Sequence, residues 1–232
     1  MPRYRTVLFD FDGTLVDSVR LILDSYHHTL SVHGLPPRSD ADWLRGLGTP
    51  LRAQFAEWAT TPDELEGLVA TYRDHNLRHH DALVSLYPGV LDMVRAVRAA
   101  GLRTGLVTSK NREGTHRGLR VVGLEGTMDV VVSADDVENH KPHPAPVLRA
   151  LEFLDDRPAD VVFVGDSIHD MHSGRAAGVA IAAVLWGPFG REHLEATLPD
   201  HWLDYPADLL RLLEIGAMDV RSSNRQSPTT ND

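Results

Sequence analysis

Residues 7–18 read VLFDFDGTLVDS, and the fold turns on how this stretch is read. Thr6, Val7, Leu8 and Phe9 make a β-branched and apolar run without a polar break, the pattern of a central strand buried on both faces. The run delivers Asp10, and Asp12 follows two residues later. Gly13 comes next; lacking a Cβ, it lets the chain turn sharply and bring backbone N–H groups towards an anion. Two carboxylates at a strand's end suit metal binding or proton transfer, although a plain surface turn also uses Asp and Gly. Partners elsewhere in the chain decide between the two.

Outward from this stretch, residues 17–32 predict a helix, because Val19, Ile22, Leu23, Tyr26 and Leu30 recur at three- and four-residue spacing before Gly34, Pro36 and Pro37. Residues 39–84 show helical patterns at 40–47, 51–59 and 62–80 and no strand, with Pro62 at a first-turn position. They form a helical insertion long enough to pack as a small bundle. From Pro88 the texture alternates: helices at 90–100, 112–122, 145–154 and 168–177, strands at 106–107, 130–132, 161–164 and 179–185. This alternation predicts an α/β fold, a Rossmann-like parallel sheet with helices on both faces. Such sheets bind ligands at the carboxyl ends of their strands. Asp10, Thr108 and Asp166 each fall just past a strand, so one crevice can hold all three. Trp202 and Leu203 suggest a short edge strand, residues 206–215 a last helix, and the polar, aperiodic 219–232 a mobile tail. The expected organisation is an α/β core domain from 1–15 and 88–218, a helical cap from 16–87, and the tail.

Composition narrows the function classes. The chain has 232 residues, 42% hydrophobic, enough for one substantial core and a smaller unit. A formal charge of -10 without a basic run argues against nucleic acid or an anionic membrane surface as partner. The longest apolar run, residues 179–186, is far short of the roughly 20 residues that span a bilayer, and the N-terminus does not resemble a signal peptide, so a cytoplasmic location is expected. The absence of cysteine excludes disulfides, thiolate metal sites and cysteine nucleophiles. Of the 23 basic residues only Lys110 and Lys141 are lysines. A compact ammonium can fit against a phosphoryl oxygen in a space too narrow for a planar guanidinium.

DFDGT at 10–14, VTS at 107–109, HKPHP at 140–144 and GDSIHD at 165–170 resemble the four ordered motifs of the haloacid dehalogenase-type phosphatases, and the match covers nearly the whole predicted fold. The resemblance implies that Asp10 is a nucleophile forming an aspartyl-phosphate. Asp12 would be the general acid and then the general base; the family's dehalogenases lack a carboxylate there and its ion pumps carry threonine. Mg²⁺ would be held by Asp10, the backbone carbonyl of Asp12 and Asp166, with Asp170 in support. Lys141 would neutralise Asp10 and the phosphoryl oxygens, and Thr108, Ser109 and Lys110 would bind phosphate. The residue types suit the chemistry: a carboxylate is a competent nucleophile without a base, but its approach to an anionic phosphate needs charge offset. Hard oxygen donors favour Mg²⁺, and hydroxyl, amide and ammonium donors cradle a transferring phosphoryl group. Plainer readings stand beside these: Asp166 as a helix N-cap, Asp170 as a solvated carboxylate, Ser109 as a turn-shaping residue, Lys110 as a surface lysine, and Asp135 and Asp136 as loop caps.

The insertion is where such proteins choose a substrate. Residues 16–87 contain no lysine, which removes the Schiff-base chemistry of the family's phosphonate hydrolases. RGLGTPL at 45–51 resembles the glycine-proline loop that cap-bearing members turn towards substrate, making Arg45, Gly48 and Arg52 candidates. Tyr72, Arg73 and Asn76, then His80, Asp81, Leu83 and Val84, resemble the cap-helix end of bacterial pyrophosphatases of the family, as does VVVSADDVENHKPHPAP at 130–146; Arg73 and His80 join the candidates. With TSK at 108–110 these put inorganic pyrophosphate first, phosphoglycolate or another small phosphomonoester second, and a β-phosphoglucomutase-like transfer third, with Arg45 or Arg52 on a second phosphate. A non-catalytic phosphate-binding module predicts broken catalytic positions, and none is broken. His75 and His79 have the spacing of a zinc pair but no evident third ligand, so the His75, His79 and His80 group is expected on solvated helix surface. Trp43 and Trp58 are expected in the cap interior, and His140 and His143 on loop surface. A monomer and a homodimer are equally compatible with the sequence. Cap movement is expected about the connections near Val16 and Tyr87, beside Pro88 and Gly89.

Overall fold

The computed structural model describes residues 4–216; the tail expected at 219–232 lies outside the described residues. The elements run β1 (Thr6–Phe9), β2 (Val16–Asp17), α1 (Val19–Val32), α2 (Asp40–Leu44), α3 (Leu51–Phe55), α4 (Pro62–Leu83), β3 (Ser85–Leu86), α5 (Val90–Ala99), β4 (Arg103–Val107), α6 (Arg112–Val121), β5 (Val130–Val132), α7 (Ala145–Leu154), β6 (Val161–Gly165), α8 (Ile168–Ala177), β7 (Ala180–Val184), α9 (Arg191–Leu194), β8 (His201–Leu203) and α10 (Pro206–Leu212). Six strands form one sheet in the order β5-β4-β1-β6-β7-β8, and every pairing in it is parallel.

β1 sits inside this sheet because its side chains have nothing to offer water. Thr6, Val7, Leu8 and Phe9 are all fully buried. Val7 and Phe9 pack with Met93, Val94 and Leu119 on one face, and Leu8 with Val147, Ala150 and Phe163 on the other. Full burial of side chains this size stabilises by about 1.5–3 kcal/mol each. Gly105 of β4 makes room for this packing: a Cβ there would lie 2.6 Å from Leu8 and 2.7 Å from Val130. Register then sets the site. Phe9 pairs with Leu106 on one side and Val164 on the other, so the residues after β1, β4 and β6 emerge side by side.

The two-residue strands β2 and β3 form a separate antiparallel ribbon, pairing Val16 with Leu86 and Asp17 with Ser85. Strands of two residues at 16–17 and 85–86 carry no readable period in the sequence. The ribbon lies where the chain leaves for α1–α4 and returns from them. Those helices enclose an aromatic cluster: Tyr26 stacks on Trp43 with centroids 4.0 Å apart, and Phe55 and Tyr72 pack around the pair. Trp43 is buried as expected and Trp58 partly so. α2 ends at Leu44, short of 47, where Gly46 and Gly48 follow, the latter at φ +93°, and α3 ends at Phe55 rather than 59. α4 begins with a capping box between Thr61 and Glu64, with Pro62 in its first turn, and runs three residues past the expected end. That extra length puts His80 and Asp81 in its last turn.

Candidate active site

Asp10 follows β1, and its N–H donates to the Val164 carbonyl at 2.9 Å. Thr108 follows β4 and Asp166 follows β6, so the predicted crevice exists. Lys141 reaches it from the loop before α7. Its ammonium donates to Asp10 Oδ1 at 2.8 Å, to Asp170 Oδ1 at 2.6 Å and to the Val107 carbonyl at 3.3 Å. Lys141, Asp10, Asp166 and Asp170 are all buried. Burial works against the Lys141 charge, but Asp10 and Asp170 outweigh it and hold the group above the ordinary lysine range.

One carboxylate oxygen each from Asp10, Asp166 and Asp170 lie within 4.8 Å of one another. This density of charge is costly without a cation. Burial, then the Asp170 charge, push Asp10 up to about 7, against the pull of Lys141. Burial, then Asp170 and Asp10, push Asp166 well above the carboxylate range, although Thr14 Oγ1 donates to it at 2.7 Å. Three buried hard oxygen donors with more negative charge than one lysine offsets fit a divalent cation. Gly13, at φ +90°, passes so close that a Cβ would lie 2.4 Å from Asp166 Oδ2. Asp166 is therefore no simple helix cap: Ser167 caps α8, receiving the Asp170 N–H, while Asp170 Oδ2 accepts from Ser167 N at 3.0 Å and Oγ at 2.6 Å. Asp170 is fully buried, which overturns the solvated reading; both its oxygens are engaged, as befits a residue that holds Lys141 and supports the cluster.

Asp12 stands on the cavity side of this cluster. Its carboxylate accepts from Ser18 Oγ at 2.6 Å and from Lys110 Nζ at 3.1 Å on each oxygen. Lys110 is thus no surface lysine. Ser109 Oγ donates to the Gly48 carbonyl at 2.6 Å, which brings the 45–51 loop onto the core, and Thr108 Oγ1 accepts the Lys110 N–H at 3.1 Å. A Cβ on Gly48 would lie 3.0 Å from Ser167 Oγ. A cavity of about 280 Å³ opens over these groups, lined by Asp10, Asp12, Thr108, Ser109, Lys110 and Lys141 from below and by Gly48, Arg52, Arg73, Asn76 and His80 from the helices above.

Among the expected cap residues, Arg45 does not line this cavity. It pairs with Asp42, one turn earlier, on the exposed side of α2. Arg52 lines the cavity and is also paired with Glu66. His80 is 1% exposed, against the expectation of a solvated helix face, because the end of α4 packs on α6. His75 stacks on His28 with centroids 4.4 Å apart and meets His79 at 4.5 Å. Neither His75 nor His79 belongs to a converging metal-ligand group among the described residues. His140 lines the cavity, with Nδ1 buried and unpartnered, whereas the exposed His143 receives the Ala145 N–H at 3.1 Å. Asp135 and Asp136 receive Arg112 and cap their loop, as expected. Sequence reasoning missed Thr14 and Ser18; a hydroxyl inside and just after DFDGT was the available signal. It also missed Arg117, which carries no motif.

Among the described residues no helix is long and apolar enough to cross a membrane. The chain is 42% identical to "Pyrophosphatase PpaX" of Bacillus cereus (strain B4264), over 91% of this chain and 97% of that protein. A crystal structure of a haloacid dehalogenase-like hydrolase from Bacteroides fragilis superposes with a TM-score of 0.83 at 29% identity, over 89% of this chain and 99% of that one. A predicted phosphoglycolate phosphatase from Haemophilus somnus 129PT superposes with a TM-score of 0.82 at 25% identity, over 91% and 99%. The family model for haloacid dehalogenase-like hydrolases matches residues 7–184, which span the sheet from β1 to β7 with all four motifs, and the chain is a member of that family.

Proposed function

We propose that the protein is a Mg²⁺-dependent inorganic pyrophosphatase that works through an aspartyl-phosphate on Asp10. The observation that carries the chemistry is the buried Asp10 carboxylate on the cavity floor, 2.8 Å from the Lys141 ammonium and beside the Asp166 and Asp170 carboxylates. Likeness to PpaX at 42% identity favours pyrophosphate. Likeness to a predicted phosphoglycolate phosphatase makes phosphoglycolate the second reading. In this proposal residues 16–87 are a cap on a core formed by 1–15 and 88–218.

Asp10, Asp166 and the Asp12 backbone carbonyl would hold Mg²⁺, with Asp170 behind them; when bound, the ion supplies positive charge that lets an anionic phosphate approach a carboxylate. Lys141 favours the ionised form of Asp10, opposing the burial that raises its pKa. An Asp10 oxygen attacks phosphorus while the bond to the leaving oxygen breaks, and Asp12 gives that oxygen a proton. Water then attacks the phosphorus of the acyl-phosphate. Asp12 takes its proton, and phosphate leaves with Asp10 restored. Thr108, Ser109 and Lys110 bear on the phosphoryl oxygens, and Lys110 also sets the position of Asp12. Arg73 and His80 are the cap candidates retained, Gly48 contributes backbone, Arg52 is a rim residue, and Arg45 is set aside.

A Mg²⁺-dependent panel of pyrophosphate, phosphoglycolate, sugar phosphates and nucleotides, ranked by kcat/KM, tests the substrate. Pyrophosphate falling about tenfold or more below phosphoglycolate, about 1.4 kcal/mol of transition-state binding, refutes the first reading. Asp10→Asn should abolish turnover, and retained activity refutes the mechanism.

A further inference from the structure

At the α4–α6 seam His80, a cap candidate above, meets two groups that have no part in that chemistry, Asp81 and Arg117. Asp81, in the last turn of α4, accepts two bonds from Arg117 of α6: Nε to Oδ1 at 2.8 Å and Nη2 to Oδ2 at 3.0 Å. His80 Nδ1 lies 3.0 Å from the same Oδ1. Arg117 and His80 both hold the Asp81 carboxyl low, at about 2, so it is ionised and can only accept. The His80 proton is therefore on Nδ1, and Nε2 carries a bare lone pair. Nε2 is buried and has no partner. Burial also keeps the imidazole below the ordinary histidine range, against the pull of Asp81.

The ring lies at the same glycine of α6 as Phe11, the residue between the two reacting carboxylates in the chain. A Cβ on Gly118 of α6 would lie 2.6 Å from the Phe11 ring, so the bare glycine is what lets Phe11 pack here, and 3.7 Å from His80 Nε2, an ordinary contact. Phe11 stands between Asp10 and Asp12, and the Lys110 ammonium that holds Asp12 lies 6.0 Å from the Phe11 ring centre. The seam thus forms a side wall of the cavity, with His80, Lys110, Gly114 and Arg117 all lining it.

We propose that Asp81, Arg117 and His80 are a clasp that holds the end of α4 on α6 in the closed arrangement and so positions Phe11, Lys110 and Asp12 for turnover. The inference rests on the reading of residues 16–87 as a mobile cap over a phosphohydrolase site. The clasp is built to release. Asp81 is 55% and Arg117 30% exposed at their side chains, so water screens the ion pair, and the buried lone pair of His80 is a cost that opening into water removes. A tight closure on both counts would slow the escape of phosphate. Asp81, Arg117 and His80 are positioning residues; none needs to touch the substrate.

A charge swap tests the clasp. Asp81→Arg and Arg117→Asp should each lower kcat/KM by about tenfold or more for pyrophosphate and phosphoglycolate alike, and the double variant should recover most of the loss, because contacting residues are energetically coupled. Melting temperatures should not follow this pattern, since a half-exposed pair adds little to folding. If the reversed chains do not fold, Asp81→Asn and Arg117→Gln form the same cycle, with the two losses expected to be less than additive. Full activity in the single variants, or a double variant no better than its parents, overturns the clasp; so do strictly additive losses in the milder cycle. Both substrates are read in every variant, so a wild-type preference for phosphoglycolate would overturn the substrate reading and leave the clasp standing.

Discussion

Lys141→Met removes a buried ammonium while keeping most of the side chain's volume. The charge lost stands 2.8 Å from Asp10 and 2.6 Å from Asp170, and the three side chains are 1%, 6% and 0% exposed. Breaking a buried pair by deleting one partner costs about 3–5 kcal/mol, because a charge is left without its counterpart. For a chain of this size that is roughly 6–20 °C in melting temperature. The loss must depend on pH. Asp10 has an ordinary value of 3.8 and stands at about 7 in the fold. Between these values the native state holds more protons than the unfolded chain, so the contribution of this group falls as pH rises. Without Lys141 the rise in pKa is larger, so the fall continues to higher pH and is larger in total. Below the ordinary value, the carboxyls are protonated in both states and the variant's deficit from Asp10 closes. Thermal unfolding of both proteins in EDTA, from acid to neutral pH, reads this directly. A deficit below about 2 °C at neutral pH, or one equally large in acid, refutes the electrostatic account of the Lys141 contacts. Turnover with Mg²⁺ should fall by about 10²–10³, the usual loss of a preorganised transition-state donor.

Two further outcomes follow from the geometry. Gly13→Ala should raise the Mg²⁺ concentration needed for half-maximal activity by about tenfold or more, because its Cβ would lie 2.4 Å from Asp166 Oδ2 at a φ that alanine rarely adopts; an unchanged Mg²⁺ requirement refutes the assignment of Asp166. Arg45→Ala should leave kcat/KM within about twofold, as the side chain pairs with Asp42 away from the cavity, whereas Lys110→Ala should lower it by about 10² or more through the loss of the Asp12 contact. The reverse order would show that the substrate pulls the 45–51 loop into another position.

Much of this site was legible because it is local. Asp10, Asp12 and Gly13 follow a strand whose apolar run needs no partner to be recognised, and Ile168–Ala177 and Ala145–Leu154 are bounded as their periodicity predicts. Arg45 stands away from the cavity because the motif fixes the loop but not the rotamer, and Asp42 one turn back holds it. His80 is buried for a reason that no motif carries. Its neighbours His75 and His79 suggest an outward face, while the docking of α4 on α6, visible only in three dimensions, buries it beside Phe11.

The order of strand, turn and carboxylate is written locally in the chain, since short-range sterics and hydrophobic period act within a few residues. So is the choice of Lys110 and Lys141, the two lysines of the chain, as side-chain ammonium groups for the site. Packing in three dimensions settles which carboxylates share Lys141, that Asp170 is buried, and that Lys110 faces Asp12. Those pairings join residues 29 to 131 positions apart in the chain, and a parallel sheet brings such residues together through its strand order, which no local pattern encodes.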